Sequence, residues 1–344
     1  YKSSNGGSFF SIIGGYGGDF PIHPDIQDMK LMDNGDTWVS TDGGLTYSSD
    51  NFSNTNNAIS RNNGMIGSDF WGFDQGWNED IIVGGRYHNG NTAIADFYQP
   101  KALRMGGAES PTGWVMKGKS RHVAFNDLGA GWILPKEAEG NPEGRFLFSK
   151  YPNMDEYGGR RGNMIFHPNY YEIIFLGEGN GFWKSEDMGQ TFDLMHDFGS
   201  RIRFVQISYH TPDVMYADIV GQGLFRSADG GLSWTLKPSL TNGDNGTNYW
   251  EGRMHFSISP TDENVIYACL QNGTWTADIG KVFRSIDGGD TWEDWTGSLS
   301  ILTKNIVVQP DQEGNDIIYL FTSISQGNAG QVFVRKSDEM DWST

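Results

Sequence analysis

The sequence predicts an all-β fold, and three observations carry the prediction. Glycine is abundant, at 47 of 344 residues, and aromatic residues make up 14% of the chain. Short β-branched and aromatic runs recur from end to end. No long stretch holds an apolar period near 3.6, so amphipathic helices are absent from the pattern. Many tight turns combined with many large flat side chains favour short strands joined by brief loops.

A repeat then organises these strands. Ser227-Ala228-Asp229-Gly230-Gly231-Leu232-Ser233-Trp234 recurs as Ser285-Ile286-Asp287-Gly288-Gly289-Asp290-Thr291-Trp292. Ser40-Thr41-Asp42-Gly43-Gly44-Leu45-Thr46-Tyr47 reads as a third copy and Ser185-Glu186-Asp187-Met188-Gly189-Gln190-Thr191-Phe192 as a fourth. Ser3-Ser4-Asn5-Gly6-Gly7-Ser8-Phe9 is a weaker copy with Asn for Asp, and Ser337-Asp338-Glu339-Met340-Asp341-Trp342 a decayed one. In such a turn the Ser hydroxyl and Asp carboxylate accept backbone N–H bonds, the glycine takes a φ other residues resist, and the aromatic starts the next strand. Asp42, Asp187, Asp229 and Asp287 are therefore expected to be structural.

Upstream of the copies lies an apolar strand, a turn that often carries proline, and a second apolar strand. Phe204–Ser208 precedes Thr211-Pro212-Asp213 and Val214–Ala217, and Phe256–Pro260 precedes Val265–Ala268. Ile165–Pro168 with Glu172–Phe175, and Ile306–Pro310 with Ile317–Tyr319, repeat the arrangement. Strand, turn, strand, loop, third strand, box turn and fourth strand make one β-propeller blade. Asp42 and Asp187 stand about three repeat lengths apart, so two blades without a recognisable box are expected near residues 69–110 and 113–149. The count is about seven blades in one domain over residues 1–344. They form either a seven-bladed ring cut at an unusual point or seven blades of a larger ring.

These residues resemble the Asp-box (BNR-repeat) superfamily, which includes sialidases, family-74 xyloglucan hydrolases and sortilin domains. His23–Met29, followed by the copy at Ser40, looks like a blade of large secreted bacterial proteins of the sortilin-like kind. Ile82–Thr92 is similar to a G-G-x-x-D-N-G-T segment of that group, with His88 where Asp is commoner. The resemblance implies the fold. Activity does not follow from it, because the box is a structural device on hosts of unrelated function. The sialidase arginine–proline motif is absent. Family-74 enzymes use two aspartates across an open cleft, and no local pattern marks such a pair here.

Composition narrows the partners. A formal net charge of −18 repels phosphate backbones and anionic membranes, so nucleic acid is excluded as a partner. No run of 18 apolar residues offers a transmembrane helix. The single cysteine, Cys269, lies in an apolar run and reads as a buried hydrophobe. The chain opens at Tyr1-Lys2-Ser3 as if in mid-repeat, so an excerpt of a longer secreted or cell-surface polypeptide, or a trimmed mature protein, is expected.

Ligand sites in propellers are built from loops around the central channel. The candidates are His88, Asn89, Arg203, Trp250, Glu251, Arg253 and Trp275. Trp250 beside Glu251 and Arg253 could stack a sugar or hold a peptide, though a tryptophan wedged between blades is the favoured account of it. Glu178 and Asp218 are read as equivalent positions in neighbouring blades; were the chain an enzyme, they would be its acid–base pair. No two histidines show metal-ligand spacing, no metal or cofactor is expected, and Asn242–Asn248 is at most an oxygen-rich loop that could wrap calcium. The favoured expectation is a non-catalytic module that binds protein or glycan, or acts as a rigid scaffold. A family-74-type glycoside hydrolase is the alternative, and a sortilin-like peptide receptor, with Arg203 or Arg253 meeting a terminal carboxylate, the second alternative.

Overall fold

The structure is a computed structural model that describes residues 1–63, 70–76, 81–86, 90–95, 103–106, 113–115, 123–127, 130–134, 145–146, 163–170, 172–189, 191–238, 253–271, 280–300, 303–322 and 330–344. Within them the chain forms seven antiparallel sheets, each a meander of consecutive strands. The first holds β1 (Ile26–Leu31), β2 (Thr37–Thr41), β3 (Gly44–Ser48) and β4 (Ala58–Ser60). The second holds β5 (Phe70–Gln75), β6 (Ile81–Arg86), β7 (Gly90–Ala95) and β8 (Leu103–Gly106). The third holds β9 (Gly113–Val115), β10 (Val123–Asp127), β11 (Ala130–Leu134) and β12 (Arg145–Phe146). These last two sheets fall where blades without a recognisable box were expected.

The fourth sheet is β13 (Asn163–Phe166), β14 (Ile174–Glu178), β15 (Gly181–Ser185) and β16 (Asp193–Asp197). The fifth is β17 (Ile202–Ile207), β18 (Met215–Ile219), β19 (Gly223–Ser227) and β20 (Thr235–Leu236). The sixth is β21 (Arg253–Ile258), β22 (Ile266–Gln271), β23 (Lys281–Ser285) and β24 (Glu293–Asp294). The seventh has three strands, β25 (Thr303–Pro310), β26 (Asp316–Thr322) and β27 (Val332–Lys336), with Ser343 bridging back to Val334 in the fourth position. The fold is a β-propeller of four-stranded blades.

The first strand of a blade packs on the blade before it: β9 on β5 and β6, β17 on β13 and β14, and β25 on β21 and β22. Because side chains alternate along a strand, each second strand feeds two cores. Met215, Ala217 and Ile219 of β18 join Phe175, Phe182 and Val205, whereas Tyr216 joins Leu224, Met254 and Phe256. Ile266, Ala268 and Leu270 of β22 complete that second cluster. Tyr267 and Cys269 turn to the next, with Val282, Ile306 and Ile318. Burial on both faces is what makes a second strand such as Ile266–Leu270 continuously apolar in sequence. Cys269 is fully buried, and desolvation pushes its thiol up to about 12.

Tyrosines stitch the seams. Tyr216 Oη donates to the Glu263 carbonyl at 2.8 Å and accepts from Arg226 Nε at 3.0 Å, while Arg226 Nη2 reaches Asn264 Oδ1 at 3.1 Å. At the same place in the next blade Tyr267 Oη donates to Asp316 Oδ2 at 3.1 Å, and Ser259 Oγ donates to Asp316 Oδ1 at 2.8 Å. A buried carboxylate is tolerable there because both oxygens are bonded. Burial still holds the Asp316 carboxyl above its ordinary range.

Candidate functional site

The repeat turns have one bonding scheme. Ser227 Oγ donates to Asp229 Oδ1 at 2.8 Å and accepts from the N–H of Gly231 at 2.9 Å. Asp229 then accepts from the Ser233 N–H at 2.9 Å and from the Ser233 hydroxyl. Ser185, Asp187, Gly189 and Thr191 repeat it, as do Ser285, Asp287, Gly289 and Thr291. The carboxylates are spent on closing the third-to-fourth-strand turn. Ser3, Asn5, Gly7 and Phe9 form the same turn with an amide in place of the carboxylate. The decayed copy at Ser337–Trp342 folds differently: Glu339 caps the Lys336 N–H and Asp341 accepts from Ser298.

Asp42 is a correction. Asp42 and Gly43 are the two-residue hairpin joining β2 to β3, with Thr41 paired to Gly44, so this Asp-Gly is a hairpin signal and not a box. Asp42 Oδ1 accepts from Gln27 Nε2 at 2.8 Å. The box scheme of this blade sits one strand later. Ser48 Oγ donates to Asp50 Oδ1 and accepts from the Phe52 N–H, both at 2.8 Å, and Asp50 accepts from the Ser53 N–H at 3.1 Å. Phe52 takes the glycine position at φ +51°, and its ring is buried with Ile22, Val39 and Ala58.

Hydrogen bonds to the ionised form hold Asp229 and Asp50 below the ordinary carboxylate range, Asp229 chiefly through Ser233 and Asp50 chiefly through Asn57. Asp287, bonded first of all by Thr291, falls from 3.8 to about 2. A carboxyl depressed in the folded state lends stability that is complete above its unfolded value and disappears as pH falls through the folded one. Urea midpoints are therefore expected to hold steady to about pH 4 and fall between pH 4 and 2, with a shallower fall in Asp287→Asn.

Of the channel-side candidates, Arg203 and Asp218 come together. Arg203 is the bulged residue of β17, between the pairs Ile202–Ile219 and Phe204–Asp218. Its Nε lies 3.2 Å from Asp218 Oδ2, and the two side chains are 3% and 0% exposed. A carboxylate sealed in this way cannot trade protons with a substrate, and a neutralised guanidinium cannot meet a peptide terminus without breaking the pair.

Glu178 is half-buried and is not the counterpart of Asp218. Ile174 pairs with Ser185 and Glu178 with Gly181, whereas Met215 pairs with Ser227 and Ile219 with Gly223. Glu178 thus matches Ile219, and Asp218 matches Gly177. A one-residue offset puts two side chains on opposite faces, so these carboxylates are no acid–base pair by equivalence.

His88, Asn89, Trp250, Glu251, Trp275 and the 242–248 loop lie outside the described residues. Arg253 opens β21, paired to Gln271. Among the described residues no group of three or more His, Cys, Asp and Glu is placed to hold a metal, and no helix is long and apolar enough to cross a membrane. Sequence reasoning missed the Ser259–Tyr267–Asp316 network, since its members are scattered over two blades.

No protein-family profile matches the sequence. A xyloglucanase of a Paenibacillus species is similar to it, 26% identical over 261 residues, which are 66% of this chain and 21% of that protein. The chain thus spans about a fifth of that relative's length. Among solved structures, the GH74 xyloglucanase from Xanthomonas campestris superposes with a TM-score of 0.58 at 12% identity, over 80% of this chain and 45% of that one. YCF48 bound to D1 peptide superposes with a TM-score of 0.51 at 14% identity, over 93% of this chain and 95% of that one. At these identities the structural likenesses establish the propeller fold alone.

Proposed function

We propose that the chain is a propeller of a secreted, Asp-box-containing glycoside hydrolase of the family-74 type, where it forms part of the surface that binds xyloglucan or a related β-glucan. The observation that carries this reading is the 26% identity to a xyloglucanase over 261 residues. The fold agrees with it, and so does the charge: an uncharged polysaccharide is not repelled by a surface of net charge −18. This replaces the non-catalytic module as the favoured reading. The acid and base are sought outside the Arg203–Asp218 pair, among carboxylates facing one another roughly 5–10 Å apart across an open groove.

The test is reducing-sugar release from xyloglucan by the full-length polypeptide, with calorimetric titration of xyloglucan oligosaccharides into residues 1–344. Release together with heat of binding supports the proposal. Neither release nor binding, with the fold intact by circular dichroism, would return the chain to a scaffold or protein-binding module.

A further inference from the structure

In a four-stranded meander the second-to-third-strand hairpin stands at the opposite end of the blade from the box turn, beside the segment that leads to the next blade. Between blades four and five three such pieces meet. Gly179 and Asn180 turn β14 into β15, Val220, Gly221 and Gln222 turn β18 into β19, and residues 198–201 lead from β16 to β17. Main-chain bonds tie the connecting segment to the first hairpin: the Phe198 N–H donates to the Asn180 carbonyl at 2.9 Å and the Ile202 N–H to the Gly179 carbonyl at 2.8 Å. On the other side the Val220 N–H donates to the Arg201 carbonyl at 2.9 Å, Ser200 Oγ to the Val220 carbonyl at 2.7 Å and Gln222 Nε2 to the Phe198 carbonyl at 3.0 Å. The Phe198 ring holds the middle in the core, buried with Val205 and Ile219 and met edge-on by Phe225 and Trp234, each at 5.2 Å. The three pieces form one rigid shelf.

Its surface is smooth. Gly179, Gly199 and Gly221 take φ of +56°, +66° and +72°, which glycine adopts freely. All three are exposed, with nothing within 4 Å of the place a Cβ would occupy. Polar side chains stand around them: Asn180, Asp197 and Gln222 are exposed, and Glu178 and Arg201 are half-buried. The set joins a guanidinium and carboxylates to side-chain amides, so it offers donors and acceptors alike. The hydroxyls of a sugar ring, each a donor and an acceptor, match such a mixture, and bare glycine backbone lets the ring approach closely. An acidic sugar would meet the carboxylates and an overall charge of −18, so a neutral chain is favoured. Because the pieces are already tied together, little ordering cost is left for binding.

On the glycan reading of the chain, on which this rests, we infer that the shelf between blades four and five is a subsite for an uncharged β-glucan chain. Glu178, Asn180 and Arg201 meet its hydroxyls, and the three glycines form the floor on which a sugar ring lies. The box turns at the other end of the same blades take no part, since their carboxylates are bonded within the turn.

Xyloglucan oligosaccharides titrated into residues 1–344, followed by calorimetry and by amide hydrogen exchange, test this. Saturating sugar is expected to slow exchange at Asn180, Gly199 and Gly221 at least about threefold, with Gly230 and Gly288 of the box turns unchanged. Glu178→Ala and Asn180→Ala are each expected to weaken binding about three- to tenfold through lost hydrogen bonds. Leu232→Ala, at the box end and 62% exposed, should bind as the parent does. Urea midpoints show whether the variants are folded, and exchange in the parent decides the matter if they are not. Binding that leaves exchange at the shelf unaltered would overturn the subsite and leave the glycan reading standing, as would full affinity in both folded variants. No binding by the parent would remove both.

Discussion

Replacing Asp218 with alanine is expected to lower the folding stability by about 3–5 kcal/mol, because it leaves the Arg203 guanidinium buried without its counter-ion. The side chains are 3% and 0% exposed with 3.2 Å between Nε and Oδ2, so water cannot take the place of the lost partner. Arg203→Ala should cost a similar amount by stranding the carboxylate. The double replacement Arg203→Met/Asp218→Leu removes both charges and fills the space with apolar atoms, and is expected to lie within about 1–2 kcal/mol of the native protein. Urea midpoints followed by tryptophan fluorescence read all three. Single variants as stable as the parent would show that the pair is hydrated in solution and reopen Asp218 as a functional carboxylate. Sugar release lost in Asp218→Asn has to be judged beside this measurement, since unfolding alone would abolish it.

The fold was legible in the sequence because its signals are local. A second strand such as Ile266–Leu270 is apolar on both faces, and turns carrying proline and aspartate stand before it and before Met215–Ile219. Repeat spacing even located two blades that carry no recognisable box. What failed depended on register. Ser40–Tyr47 fits the box pattern residue by residue, yet Asp42 makes a hairpin, because the pairing of β2 with β3 decides where the turn falls. The true box at Ser48 was hidden by Phe52, whose buried ring offsets the cost of a left-handed backbone that glycine would adopt freely. Glu178 and Asp218 read as equivalent positions of neighbouring blades, and a single residue of ladder register separates them. The Arg203–Asp218 pair itself depends on a bulge, which no local pattern announces.

The two glycines of one repeat turn should differ sharply when replaced by alanine. Gly230 has φ +71°, and a Cβ there would make only an ordinary 3.5 Å contact with Asp213 Oδ1. Its replacement meets backbone strain alone, about 1 kcal/mol once the stiffer unfolded chain is counted. Gly231 has φ +92°, and a Cβ there would overlap Phe182 Cε1 and lie 3.0 Å from Cδ1. Phe182 cannot move aside, being fully buried in the preceding blade, stacked on Phe175 at 5.5 Å and met edge-on by Trp234 at 5.3 Å. Gly231→Ala therefore adds overpacking of about 1–3 kcal/mol to the strain, for a total of about 3 kcal/mol. Phe182→Ala alone should cost about 3–5 kcal/mol through the cavity it leaves. The double variant should be more stable than the sum of the two by about 1–2 kcal/mol, since the new methyl enters space the ring has vacated. Additive losses would mean that the second glycine is kept for its backbone angle only. Coupling would mean that it is kept so that the turn of one blade can lie against the core of the blade before it.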